Sequence, residues 1–134
     1  MSPELYWMTL TAAMTGLMFV PYIQDRVNIL GLFGAMGNPY ELIVVKPQSP
    51  WAVRAMHAHR NAVENLVVFV AFVLVLNALS ISTRTTALAC AIYFWARLVH
   101  YILYLLGVRV LRTLVWIVGW LCLLTLFLAI FRVV

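Results

Sequence analysis

Four apolar stretches, each about 20 residues long, constrain this chain more than any other feature. A helix needs about 20 residues to cross the hydrocarbon core of a bilayer, and four such runs consume most of 134 residues. Hydrophobic residues make up 66% of the chain and charged ones 10%, with a mean hydropathy of +1.02. An ordinary soluble domain of this size is far less apolar. In lipid every backbone N–H and C=O must be bonded internally, which leaves helices or closed barrels. Long unbroken apolar runs select helices. The expected class is an all-α integral membrane protein, a single membrane domain over 1–134 built as a four-transmembrane-helix antiparallel bundle.

The spans fall at about 4–26, 50–79, 84–106 and 110–131. Met1-Ser2-Pro3-Glu4 lacks the basic leader of a signal peptide, so the first run is expected to stay as a span. It is expected to end at Asp25 and Arg26. The Gly-, Asn- and Pro-bearing segment from Asn28 to Pro50 reads as a loop. Ser49 as N-cap and Pro50 at the first helical position start the second span. At about 30 residues, or about 45 Å, this helix exceeds the hydrocarbon thickness. Its polar first turns therefore sit at the interface or in a cavity. The short connections at 80–83 and 107–109 force antiparallel neighbours. Cys90 and Cys122 lie within apolar runs and read as buried thiols, not as a disulfide framework. Ala12, Ala13 and Gly16 are expected to allow close packing of the first helix, and Asn77 to hydrogen-bond between helices.

Basic residues set the orientation. Arg26, Lys46, Arg54, Arg60, Arg97, Arg109 and Arg112 fall on one side, Arg84 and Arg132 on the other. The excess of Lys and Arg predicts that this richer side is cytoplasmic and that both termini lie outside.

The stretch RAMHAHRNAVEN, Arg54 to Asn65, carries the polar groups of the second span. At about 100° per residue, Arg54, His57, Asn61, Glu64 and Asn65 share one helical face, with Arg60 on its border. A charge in a bilayer costs roughly 3 kcal/mol or more even on insertion scales. These side chains must therefore face protein, water or ligand. The topology brings Arg26 from the first helix, Arg97, His100, Tyr101 and Tyr104 from the third, and Arg109, Arg112 and Thr113 from the fourth to the same membrane side. The other half of the bundle reads as almost free of ionisable groups, with Glu64 as the one embedded carboxylate.

Such a cationic cluster suits a ligand with several carboxylates and one ammonium, because arginine grips carboxylates with a planar fork. Apolar walls would suit a lipophilic second substrate arriving from the membrane. Structural ion pairs, Arg60–Glu64 among them, are the plainer alternative. His57 and His59 point about 160° apart on a helix and cannot chelate one metal. A bis-histidine haem through His100 stays open to an absorption spectrum, but no metal is expected, and no nucleic-acid partner. Trp7, Trp95, Trp116 and Trp120 read as belt or packing residues.

The run Arg54 to Phe69, RAMHAHRNAVENLVVF, resembles the helix-2 signature of the membrane-associated proteins in eicosanoid and glutathione metabolism (MAPEG). That signature has a basic residue, then Ala-His-Arg-Asn, two variable positions and Glu. A second match is ARLVHYILYLLGVRVLRTLVWIVG, Ala96 to Gly119. PYIQDR (Pro21 to Arg26) and GNPYE (Gly37 to Glu41) look like the helix-1 end and loop of bacterial members. The resemblance implies a homotrimer in a bacterial inner membrane, with glutathione as co-substrate held between adjacent subunits at the cytoplasmic face. It implies glutathione contacts from Arg60, Asn61 and Glu64, with Arg54 and His57 beside them, and further contacts from Arg26, His100 and Tyr104. Arg112 resembles the arginine that holds the sulfur as thiolate, with Thr113 in place of a serine and Tyr104 next in line for the catalytic role. The implied activity is a glutathione-dependent transferase or peroxidase acting on lipophilic electrophiles or hydroperoxides from membrane lipid, in detoxification. A non-catalytic lipid-binding or scaffold member is the alternative, and a small transporter or channel is a third class. His57 replaces an arginine common among relatives, and Val67-Val68 replaces a stretch with proline in some, which puts substrate identity in doubt.

Overall fold

The computed structural model describes residues 1–37 and 46–132, and its regular structure is helical. Helix α1 spans Pro3–Leu17 and α2 spans Val20–Ala35. Helix α3 spans Pro50–Ala78, α4 spans Arg84–Leu106 and α5 spans Arg109–Ile130. Of these, α3, α4 and α5 are long and apolar enough to cross a membrane. Large apolar side chains such as Leu114, Ile117 and Leu121 stand exposed on the outside of the bundle. In water that surface would be a liability, whereas lipid is its natural solvent.

The first span departs from its expected form. Ser2 caps α1 by accepting the Leu5 N–H at 3.4 Å, and Pro3 occupies the first turn, where its missing N–H costs nothing. Met18 and Phe19 keep right-handed helical dihedrals, so the backbone runs on into α2. Pro21 has no N–H for the Leu17 carbonyl, and the ladder breaks there. The helix then passes Asp25 and Arg26 instead of stopping at them. The segment expected as loop from Asn28 is helical to Ala35, with Gly31 (φ 72°) breaking the regular backbone before the last turn. Charge at an interface does not end a helix unless the backbone lacks a donor. The Tyr101 hydroxyl of α4 donates to the Met18 carbonyl at 2.9 Å and ties the kink to the bundle.

Ser49 occupies the N-cap position of α3, but its side chain makes no capping bond. Its hydroxyl donates to Asp25 Oδ1 at 2.7 Å and its N–H to Oδ2 at 3.0 Å. A carboxylate acceptor outcompetes the helix for that hydroxyl. Gln48 Nε2 donates to the Tyr22 carbonyl, so α2 and the entry to α3 are laced together.

Both later connections use the same device. Ser80 (φ 55°) and Gly107 (φ 76°) take the left-handed conformation after α3 and α4. The Ile81 N–H reaches Leu76 O and the Val108 N–H reaches Leu103 O, closing each helix end with a six-to-one bond. Thr83 and Thr86 then form a reciprocal capping box at the start of α4.

The core lies among α3, α4 and α5. Phe69, Val73, Leu76, Cys90, Tyr93, Leu123 and Leu126 are buried together, with the Phe69 and Tyr93 rings stacked at 4.1 Å. Cys90 and Cys122 are buried and free. A second cluster uses Ala55, Ala58 and Ala62 of α3 against Met18 and Tyr101. It is α3, not α1, that supplies the small residues for close approach. Ala12, Ala13 and Gly16 face outward, and Thr11 and Thr15 turn inward instead. Asn77 is also exposed, against expectation.

The half of the bundle read as free of ionisable groups holds a buried carboxylate. Glu4 is 2% exposed. Thr86 Oγ1 donates to its Oε1 at 2.6 Å, and Ser82 Oγ lies 3.0 and 3.2 Å from its two oxygens. Glu64 is therefore not the one embedded carboxylate. In the single chain the Glu64 side chain is 60% exposed.

Candidate functional site

The three membrane-length helices converge on a polar cleft of about 220 Å³. Asn61 of α3, His100 and Tyr104 of α4, and Arg112, Thr113 and Trp116 of α5 line it. Helical spacing explains the set. His100 and Tyr104 are one turn apart on α4, and Arg112 and Trp116 are one turn apart on α5. The sharp turn at Gly107 folds α5 back against α4, so the two pairs face one another. Five of the residues named from sequence meet here: Asn61, His100, Tyr104, Arg112 and Thr113. Trp116, read as a belt or packing residue, is a wall of the cleft. Its position one turn beyond Arg112 was the available signal.

Arg112 is the arginine that lines the cleft. Its guanidinium carbon sits 4.1 Å above the Tyr104 ring, and the His100 ring meets Tyr104 edge-on at 5.7 Å. At that distance cation and ring attract one another. Arg112 also lies near the N-terminus of α5, where the unpaired N–H groups add partial positive charge. The Thr113 hydroxyl donates to the Arg109 carbonyl at 3.1 Å. With its one hydrogen committed to its own helix, Thr113 offers the cleft only acceptor lone pairs in this geometry.

The remaining residues of the expected set lie elsewhere in the chain. Arg54 Nε donates to the Leu105 carbonyl at 2.8 Å and its guanidinium lies against Gly107, so it closes the C-terminus of α4. His57 is exposed. Arg60 pairs with Glu64 at 3.1 Å across one turn, with side chains 80% and 60% exposed. Arg26 carries two buried guanidinium nitrogens, Nε and Nη2, without a hydrogen-bond acceptor among the described residues. His59 Nδ1 is engaged by the Tyr22 hydroxyl at 2.8 Å. The GNPYE stretch lies outside the described residues beyond Gly37. The polar stripe of α3 thus divides. Asn61 turns into the cleft, while His57, Arg60 and Glu64, some 60–120° round the helix from Arg54, turn outward. Asn65 Nδ2 folds back to the Asn61 carbonyl at 2.8 Å.

Below the cleft, one turn further along the same two helices, an apolar groove of about 280 Å³ opens between α3 and α5. Asn65 and Trp120 stand at its polar end, Val68, Leu123 and Leu124 form its walls, and Phe72 and Phe127 lie furthest from the cleft. Their rings are 5.8 Å apart. A polar, cationic cleft therefore adjoins an apolar groove of the kind that takes hydrocarbon.

The MAPEG family model matches residues 5–132. No curated protein and no solved structure gave a match. With the match covering nearly the whole chain, this is a membrane protein of the MAPEG family, the membrane-associated proteins in eicosanoid and glutathione metabolism.

Proposed function

We propose that the chain is a glutathione-dependent transferase or peroxidase that attacks lipophilic electrophiles or hydroperoxides with a thiolate. The observation that carries this reading is Arg112 held over Tyr104 at the mouth of an open cleft beside the start of α5. A thiol with an ordinary pKa of about 8.5 is mostly protonated at neutral pH, and a nearby fixed cation favours the ionised form. Arg112 is that cation. His100 and Tyr104 provide polar hydrogens for the developing charge on the acceptor. In transfer, sulfur bonds to the electrophilic carbon and the displaced electron pair takes up a proton. In peroxide reduction, sulfur attacks one oxygen, the O–O bond breaks, and the alkoxide is protonated. The resulting sulfenic acid condenses with a second glutathione to disulfide and water. The apolar groove between α3 and α5 receives the hydrocarbon part of the second substrate.

The working unit is a homotrimer of four-span subunits. Residues α1 and α2 together act as the first span, because helical dihedrals continue through Met18 and Phe19. His57, Arg60 and Glu64 are exposed on a membrane-length helix, where lipid is an unfavourable neighbour for charge. A second copy covers them, with the carboxylates and ammonium of glutathione reaching Arg60, Glu64 and Arg26 between subunits. The cleft end, rich in arginine, faces the cytoplasm of a bacterial cell, and both termini face outward.

A non-catalytic lipid-binding role draws on the same groove and on the engaged Thr113 hydroxyl. The two readings separate in one experiment. Purified protein in detergent is given a panel of small thiols and a generic electrophile, with the ultraviolet thiolate band followed on binding. Turnover with glutathione and a thiolate band at neutral pH support the enzyme. Lipid binding with neither signal overturns it in favour of the scaffold.

A further inference from the structure

Arg97 lies in the middle of α4, nine residues from its C-terminal end, and is 3% exposed. It sits about 4.5 Å deeper along the helix than His100, a wall of the cleft. Its Nη2 donates to the Trp116 carbonyl at 3.3 Å, and Trp116 is another wall. Its guanidinium carbon lies 5.2 Å from the Tyr93 ring centroid. The neighbouring helix is shaped for it, since a Cβ at Gly119 would overlap the guanidinium. Yet Nε and Nη1 are buried without an acceptor among the described residues. The described carboxylates are committed elsewhere: Glu4 to Ser82 and Thr86, Asp25 to Ser49, and Glu64 to Arg60. A buried arginine with no counter-charge among the described residues is costly in a membrane and does little for stability by itself.

We propose that Arg97 is a positioning residue for the thiol: a second, buried positive charge beneath the cleft whose field, added to that of Arg112, holds a bound thiol as its thiolate. This rests on the reading of the cleft as a thiol site. The surroundings of Arg97 are apolar and exclude water, so its field is screened far less than that of a surface charge. It needs no contact with the sulfur. The Gly119 slot and the Trp116 carbonyl keep the guanidinium at fixed depth below His100.

The test compares Arg97→Met, Arg97→Lys and Gly119→Ala with the parent protein, using glutathione as the probe. The readouts are ultraviolet thiolate titration, kcat and KM, thermal melting and particle mass. Arg97→Met should raise the titration midpoint by about one pH unit. Neutral-pH turnover should then fall by about tenfold, while KM for glutathione stays near its parent value. Its melting temperature should hold or rise, because removing a charge that lacks a partner removes its desolvation cost. Arg97→Lys should restore the midpoint, and Gly119→Ala, which displaces the guanidinium but keeps the charge, should shift it part of the way. An Arg97→Met protein with an unchanged midpoint overturns the inference. So does one that melts early or loses its oligomer, since Arg97 would then be a brace between helices or copies. A parent protein that binds glutathione without any thiolate band overturns the thiol-site reading itself.

Discussion

Glu4 offers the cleanest test of how the first helix is held, because each of its partners is accounted for by distance. Replacing it with alanine removes a charge-assisted bond from Thr86 Oγ1 at 2.6 Å and one from Ser82 Oγ at 3.0 Å. Bonds to charged groups contribute about 1.5–3 kcal/mol each. Part of the loss is recovered. Thr86 Oγ1 already lies 3.0 Å from the Thr83 carbonyl and can turn its hydrogen there, and Ser82 is exposed enough to find water. The buried methylenes of Glu4 add a small cavity on removal. The balance is a destabilisation of about 3 kcal/mol for Glu4→Ala. Glu4→Gln keeps the shape and one acceptor and should cost about 1–2 kcal/mol. Denaturant unfolding in mixed micelles measures both, with thiol turnover as the control, since Glu4 lies at the end of the bundle away from the cleft. If Glu4→Gln and Glu4→Ala both unfold with the parent protein, the Ser82–Glu4–Thr86 network contributes nothing and the reasoning fails.

Arg112→Ala should abolish the thiolate band at neutral pH and lower kcat by at least about tenfold with KM for glutathione little changed; an unchanged titration moves the role to Tyr104. Leu124→Trp should fill the apolar groove and raise KM for a long-chain electrophile by about tenfold, equivalent to burying roughly two fewer methylenes. An equal effect on a short-chain electrophile would place the chain elsewhere. Ser80→Gly should raise stability by about 0.5–1 kcal/mol, because Ser80 holds a left-handed conformation that glycine adopts without strain; a lower melting temperature would refute that account.

The three membrane-length helices were legible because their signals are local. Pro50 opens α3, Thr83 caps α4, and Gly107 turns the chain back into α5. The first span was misjudged through its charges. Asp25 and Arg26 resemble a boundary, but the bond missing from the ladder is at Pro21, and the chain stays helical past both charges to Ala35. Ser49 holds the expected N-cap position but makes no capping bond, for a related reason. Its capping role depends on no better acceptor arriving, and Asp25 arrives from 24 residues away. Glu4 was the largest miss. Its donors stand 78 and 82 residues along the chain, and nothing near Glu4 in the sequence marks it as buried.

The polar stripe of α3 shows how far periodicity alone can reach. A stripe defined within about 80° of Arg54 gathers residues that packing then separates. Ala55, Ala58 and Ala62 bring neighbouring helices close enough for Arg54 to reach the α4 C-terminus and Asn61 to reach the cleft. His57, Arg60 and Glu64 lie on the far edge, outside that contact. Had all of them turned inward, the chain would crowd two arginines, a histidine and a carboxylate around a space already lined by Arg112. Their outward placement leaves the cleft with a single arginine in its lining and puts an exposed ion pair on a helix long enough to cross lipid. On the function proposed above, that division is what a second copy would complement. In that proposal the thiol end would need only Arg112 and its neighbours, whereas the carboxylates and ammonium of a peptide-like ligand would need the charges that the chain presents on its exterior.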